Sequence, residues 1–106
     1  MFLESGFNFI ISMNGFECTI SNVDKSSTAT VKMAKSNMDR KLEFLEDSAY
    51  EGHELIVSKK ELDSKSYPVP KRGDKITSSI LGTNYVSVVI EQIVMGRVIG
   101  YRLRVS

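Results

Sequence analysis

The feature that most constrains this chain is a period-two alternation of apolar and polar residues, recurring in short runs between turn-forming residues. In "GFECTIS", Phe16, Cys18 and Ile20 share one side, and Glu17, Thr19 and Ser21 the other. "TATVKM" repeats the pattern with Ala29, Val31 and Met33 inward and Thr30 and Lys32 outward. "HELIVS" and "DKITSSI" read as two further strands, and "GTN" as the turn that follows. "YVSVVIEQIV" is the longest run, with Val86, Val88 and Ile90 assigned to one face. After the tight turn "MGR", "VIGYRLRV" closes the series, with Tyr101, Leu103 and Val105 inward and Arg102 and Arg104 outward. About six short strands with regular turn signals predict an all-β fold, a small β-barrel or β-sandwich.

Three stretches stand apart from the strand pattern. At the N-terminus, "MFLESGFNFIISM" reads either as a short helix, with Leu3, Phe7 and Ile10 or Ile11 on one face, or as a strand with Phe7, Phe9 and Ile11 aligned. It lacks a basic leader and a small-residue cleavage site, and its apolar run is too short to span a bilayer, so neither a secretory signal nor a membrane partner is expected. Residues 34–52 form a long connection. Within it Asp39 can cap a short helix over Leu42 and Leu45 or Phe44, or Leu42 and Phe44 can alternate with Lys41 and Glu43 in a strand. Connections this long in small domains are often functional. The third stretch, "KKELDSKS", reads as solvated chain leading to the two prolines.

Those prolines open "PVPKRGD". Pro68 and Pro70 hold their predecessors extended, Gly73 permits a positive φ, and Asp74 can bond back into the turn. The stretch therefore reads as a tight turn launching a strand, in preference to an RGD recognition loop.

The 106 residues suit one domain, 1–106, and their formal charge of +1 does not mark a general nucleic-acid binder. The charge is segregated, however. Residues 37–54 carry six acids against Arg40 and Lys41, whereas residues 55–106 hold nine basic side chains against four acids, a net +5. Opposite charge on one small domain suits head-to-tail contact between copies.

Little in the sequence points to catalysis. One cysteine, Cys18, allows neither an internal disulfide nor a paired-thiolate zinc site, and its inward strand position suits a buried thiol. His53 is the only histidine. Beside Glu51 and Glu54 it is the one general-base candidate, but successive strand residues point to opposite faces. No phosphate-cradling glycine loop is present. Gly82 and Gly96 read as turn residues, and Gly100 as a bulge or a close backbone approach. The expectation is a non-enzyme without metal or cofactor. Aromatic residues are also too few, and too poorly interleaved with basic ones, for a base-stacking platform.

The second half carries a more specific pattern. Pro70, Gly73, Asp74 and Ile76 form a Pro-x-x-Gly-Asp turn into a strand. A hairpin follows with Tyr85, Val86 and Val88, then Gly96 and the closing "GYRLRV". This series resembles the small head-completion proteins of tailed bacteriophages, the group of head-tail joining and stopper proteins. The match covers about the last half of the chain and does not extend to "MFLESGFNFIISM".

The resemblance implies a small barrel or sandwich whose copies assemble into a six- or twelve-fold ring in the phage neck. The expected partners are the portal or adaptor protein, the tail terminator or tail tube protein, and double-stranded DNA passing through the channel. The implied location is the virion neck, with assembly in the host cytoplasm. By the same resemblance the long connection would face the channel and help retain packaged DNA, through Asp39, Arg40, Lys41, Glu43, Glu46 and Asp47. Carboxylates there would repel phosphates and let DNA slide, whereas Arg40 and Lys41 could touch its end. An inter-subunit or partner surface is expected at Lys71, Arg72, Asp74, Arg102 and Arg104. The alternative is a small OB- or SH3-like barrel that binds nucleic acid or a peptide as a monomer.

Overall fold

The computed structural model describes residues 4–24, 26–36 and 52–106. Its elements are α1 (Glu4–Asn14), β1 (Phe16–Ser21), β2 (Thr28–Lys35), β3 (His53–Ser58), α2 (Lys59–Ser64), β4 (Lys75–Ser78), β5 (Gly82–Val94) and β6 (Arg97–Val105). The strands form a closed antiparallel barrel in the order β1-β2-β3-β6-β5-β4. Of the two architectures the alternation allowed, the barrel is therefore the one adopted.

Alternation places the core where period two requires it. Cys18 and Ile20 of β1 meet Ala29, Val31 and Met33 of β2 inside the barrel, with Leu55, Val57, Ile76, Val86, Tyr101, Leu103 and Val105. A second cluster lies outside the wall. There Phe7 and Ile11 of α1 cover Ala34, Ile56 and Ile99. The four-residue spacing of Phe7 and Ile11 is a helical stripe, so α1 takes the helical form of the two the sequence allowed. Burying each of these side chains contributes about 1.5–3 kcal/mol. Their seat depends on Gly100, where an added Cβ would lie 2.4 Å from the Phe7 ring and 2.4 Å from the Val57 carbonyl oxygen. The close backbone approach expected at Gly100 is therefore realised.

β5 closes the barrel because its two halves pair with different strands. Gly82–Tyr85 pair with β4, and from Val86 onward the strand pairs with β6. At the changeover the register slips by one, with Val86 opposite Val105 and Val88 opposite Arg104. The extra residue, Ser87, inverts the alternation. Val88 is consequently 41% exposed, and Val89 packs against the core in its place. This corrects the expectation that Val86, Val88 and Ile90 share a face.

Two other expectations are also corrected. "KKELDSKS" is not merely solvated chain. Its first six residues form α2, and Leu62 seals the barrel core with Tyr67. The β4–β5 turn falls at residues 79–81 and not on "GTN". The Leu81 N–H donates to Ser78 Oγ at 2.8 Å, and Gly82, at φ +71°, already begins β5. The "MGR" turn is confirmed, with Met95 and Gly96 both at positive φ, the geometry of a two-residue hairpin turn.

Candidate functional site

The pairing registers sort the connections onto two ends of the barrel. One end carries the α1–β1 junction, both stems of the 37–52 connection, and the β4–β5 turn. The other end carries the β1–β2 turn, α2, the proline turn and the Met95–Gly96 turn.

At the first end the two stems are held together by a buried acid. Glu54 is fully buried (0% exposed). Its Oε1 accepts the Ser36 hydroxyl at 2.7 Å, and its backbone carbonyl accepts the Ser36 N–H at 2.9 Å. Arg102 Nη1 donates to Oε1 at 3.4 Å and Arg104 Nε to Oε2 at 3.2 Å. The register makes this possible, because Arg104 lies directly across from Glu54 on β6 and Arg102 is across from Ile56. A carboxylate taken out of water requires such partners, and two guanidinium groups and a hydroxyl supply them.

The clamp revises two sequence expectations. Arg102 and Arg104 do face outward, but their charge is directed at Glu54 and is not simply presented to a partner. Their side chains remain 34% and 42% exposed, so their outer edges are still accessible. Glu54, read from the sequence as an acid beside the general-base candidate His53, is instead the centre of an ion-pair cluster. Among the described residues no group of three or more His, Cys, Asp or Glu is arranged to hold a metal ion. The sequence signal for the clamp was only the two-residue spacing of the arginines, since Glu54 is 48 and 50 residues away from them.

The proline turn at the second end has an internal anchor of its own. Asp74, expected on the partner surface, is instead 2% exposed. Its Oδ2 accepts the Tyr67 hydroxyl at 3.1 Å and the Lys71 N–H at 3.0 Å. Burial, reinforced by the Asp74 charge, pushes the Tyr67 phenol well above its ordinary range. The main chain locks the turn to β5, with Gly73 N–H donating to the Val86 carbonyl and Val86 N–H to the Asp74 carbonyl, both at 2.8 Å. The aspartate of the RGD tripeptide is thus spent inside the fold, while Lys71 and Arg72 are exposed.

Cys18 is buried and desolvation pushes its thiol up to about 12, which leaves it protonated and inert at neutral pH. The residues expected from the resemblance to face a channel, Asp39, Arg40, Lys41, Glu43, Glu46 and Asp47, lie outside the described residues, as does Glu51. Among the described residues no helix is long and apolar enough to cross a membrane.

The class that the described residues define is a closed six-stranded antiparallel barrel with the helix α1 on its outside and a clamped stem pair at one end. No family model matches the chain, and no curated protein matches it.

Proposed function

We propose that this chain is a structural ring component of a tailed-phage neck, a head-completion protein lying between the portal or adaptor and the tail. In this reading it helps retain packaged DNA, offers the tail its attachment surface, and catalyses nothing. The observation that carries the reading is the clamp formed by Glu54, Ser36, Arg102 and Arg104. It gives a small barrel a firm base for a long acidic connection, the arrangement expected of a chain whose second half resembles the head-tail joining and stopper proteins. Residues 37–52 then face the channel, and their excess of acids keeps DNA from sticking. Lys71 and Arg72, with the outer edges of Arg102 and Arg104, are left for neighbouring proteins.

The test is sedimentation of the purified chain with and without a portal or neck assembly from the same particle. Stoichiometric co-sedimentation as a six- or twelve-fold ring is expected, and deletion of residues 37–48 should let packaged DNA leak. No association with any neck component, together with salt-sensitive binding of free DNA by the monomer, would overturn the reading in favour of a nucleic-acid-binding barrel.

A further inference from the structure

The α2 end of the barrel holds a groove of about 500 Å³ between α2 and the Met95–Gly96 turn, lined by Lys59, Lys60, Asp63, Gly96, Arg97 and Val98. Ile93 and Met95 nearby are 59% and 93% exposed. Met95 breaks a local rule, because its φ of +53° is a conformation that glycine or asparagine adopts at lower cost. A large apolar side chain placed there in water contributes nothing to the fold and suits a contact surface. Lys60 and Arg97 line the groove beside this apolar ground. Lys60, Lys65, Lys71, Arg72 and Arg97 are all exposed at this end. Of the acids at this end, Asp63 is paired with Lys59 at 2.7 Å, Asp74 is buried in its turn, and Glu61 accepts the Lys32 N–H at 2.9 Å. Asp24 accepts the Ser26 N–H at 3.0 Å beside Lys71, while Glu91 is exposed on β5.

A seat of this chemistry calls for an acidic segment with apolar side chains set among its carboxylates. Residues 39–47, "DRKLEFLED", have that composition, with Leu42, Phe44 and Leu45 interleaved with Glu43, Glu46 and Asp47. Their stems open at the opposite end of their own barrel. We infer that the groove between α2 and the β5–β6 turn receives residues 39–47 of a second copy, so that neighbouring copies join head to tail. The inference rests on the ring reading, since it names the contact between ring neighbours. A contact between unlike ends is heterologous, the kind that closes into rings.

The test uses a fluorescent peptide of residues 37–51 titrated with the full chain, read by anisotropy at low and high salt. Saturable binding that weakens at least tenfold in 0.5 M salt is expected. The double variant Lys60→Glu with Arg97→Glu should weaken it at least tenfold, with an unchanged thermal melt as the folding control. In sedimentation, this variant and Glu43→Lys with Glu46→Lys should each lose self-association, and an equimolar mixture of the two should regain it. Absence of peptide binding at millimolar chain, binding indifferent to the charge reversals, or failure of the mixture to reassociate would each overturn the inference. So would a short DNA duplex that displaces the peptide from the wild-type groove. A chain that joins a neck assembly but ignores the peptide refutes this contact alone, whereas peptide binding without neck association refutes the ring reading alone.

Discussion

Replacing Glu54 by glutamine tests the clamp most directly. Glutamine keeps the size and one carbonyl acceptor for the Ser36 hydroxyl, but it removes the charge that Arg102 and Arg104 face. Deleting one partner of a fully buried ion pair costs about 3–5 kcal/mol, because the remaining charge is stranded. Here the stranded charges are arginines that stay 34% and 42% exposed, so water recovers part of the loss. The expected cost is therefore lower, about 2–3 kcal/mol after that discount. For a domain of this size that is a fall in melting temperature of about 10–15 °C. Urea unfolding should show a lower midpoint with an unchanged slope. A double-mutant cycle with Arg104→Gln should give a coupling of about 1 kcal/mol or more. A loss below about 0.5 kcal/mol with no coupling would mean that the arginines behave as ordinary surface cations, and that the stems are not held by charge.

Three further outcomes are expected. Met95→Asn relieves a left-handed residue that makes little contact with its own chain, so it should stabilise the fold by about 1 kcal/mol, and a lower melting temperature would refute the turn assignment. Gly100→Ala drives a methyl group into the Phe7 ring and the Val57 carbonyl and should cost about 1–3 kcal/mol, detectable in the same unfolding assay, whereas a neutral result would contradict the seating of α1. Stability should fall as pH rises above about 9, because Cys18 and Tyr67 hold their protons in the folded state and release them more readily when unfolded. Both folded values are raised, so the contribution is complete below the unfolded values and is lost as pH climbs through the folded ones. Cys18→Ala should remove the earlier part of that decline, and prompt labelling of Cys18 by a thiol reagent at pH 8 would contradict its burial.

Sequence and structure divide this protein along the line between local and distant interactions. Alternation made β1, β2 and β6 legible, because a half-buried strand shows its two faces to its own neighbours in sequence. β3 was legible only as a short apolar run, its Leu55 and Val57 lining the barrel and Ile56 lying under α1. The proline turn was legible for a similar reason, since Pro68, Pro70, Gly73 and Asp74 each limit the backbone within a few residues. Even the helical stripe of Phe7 and Ile11 was visible, although a strand fitted the same few letters. Tertiary structure decided everything that depended on a partner far along the chain. Ser87 is a bulge only because β5 changes partner from β4 to β6, and that handover shifts every side chain after it by one face. Leu62 becomes a core residue only once β3 delivers α2 to the open end of the barrel. Glu54, Arg102 and Arg104 look like three surface charges until strand pairing brings them together, and only then does burial turn them into a clamp. The charge imbalance was readable as two stretches of sequence. Barrel closure put the stems at residues 36 and 52 at one end and Lys60, Lys65 and Arg97 at the other, and it carried Arg102 and Arg104 back to the stems, because antiparallel pairing sends alternate connections to alternate ends.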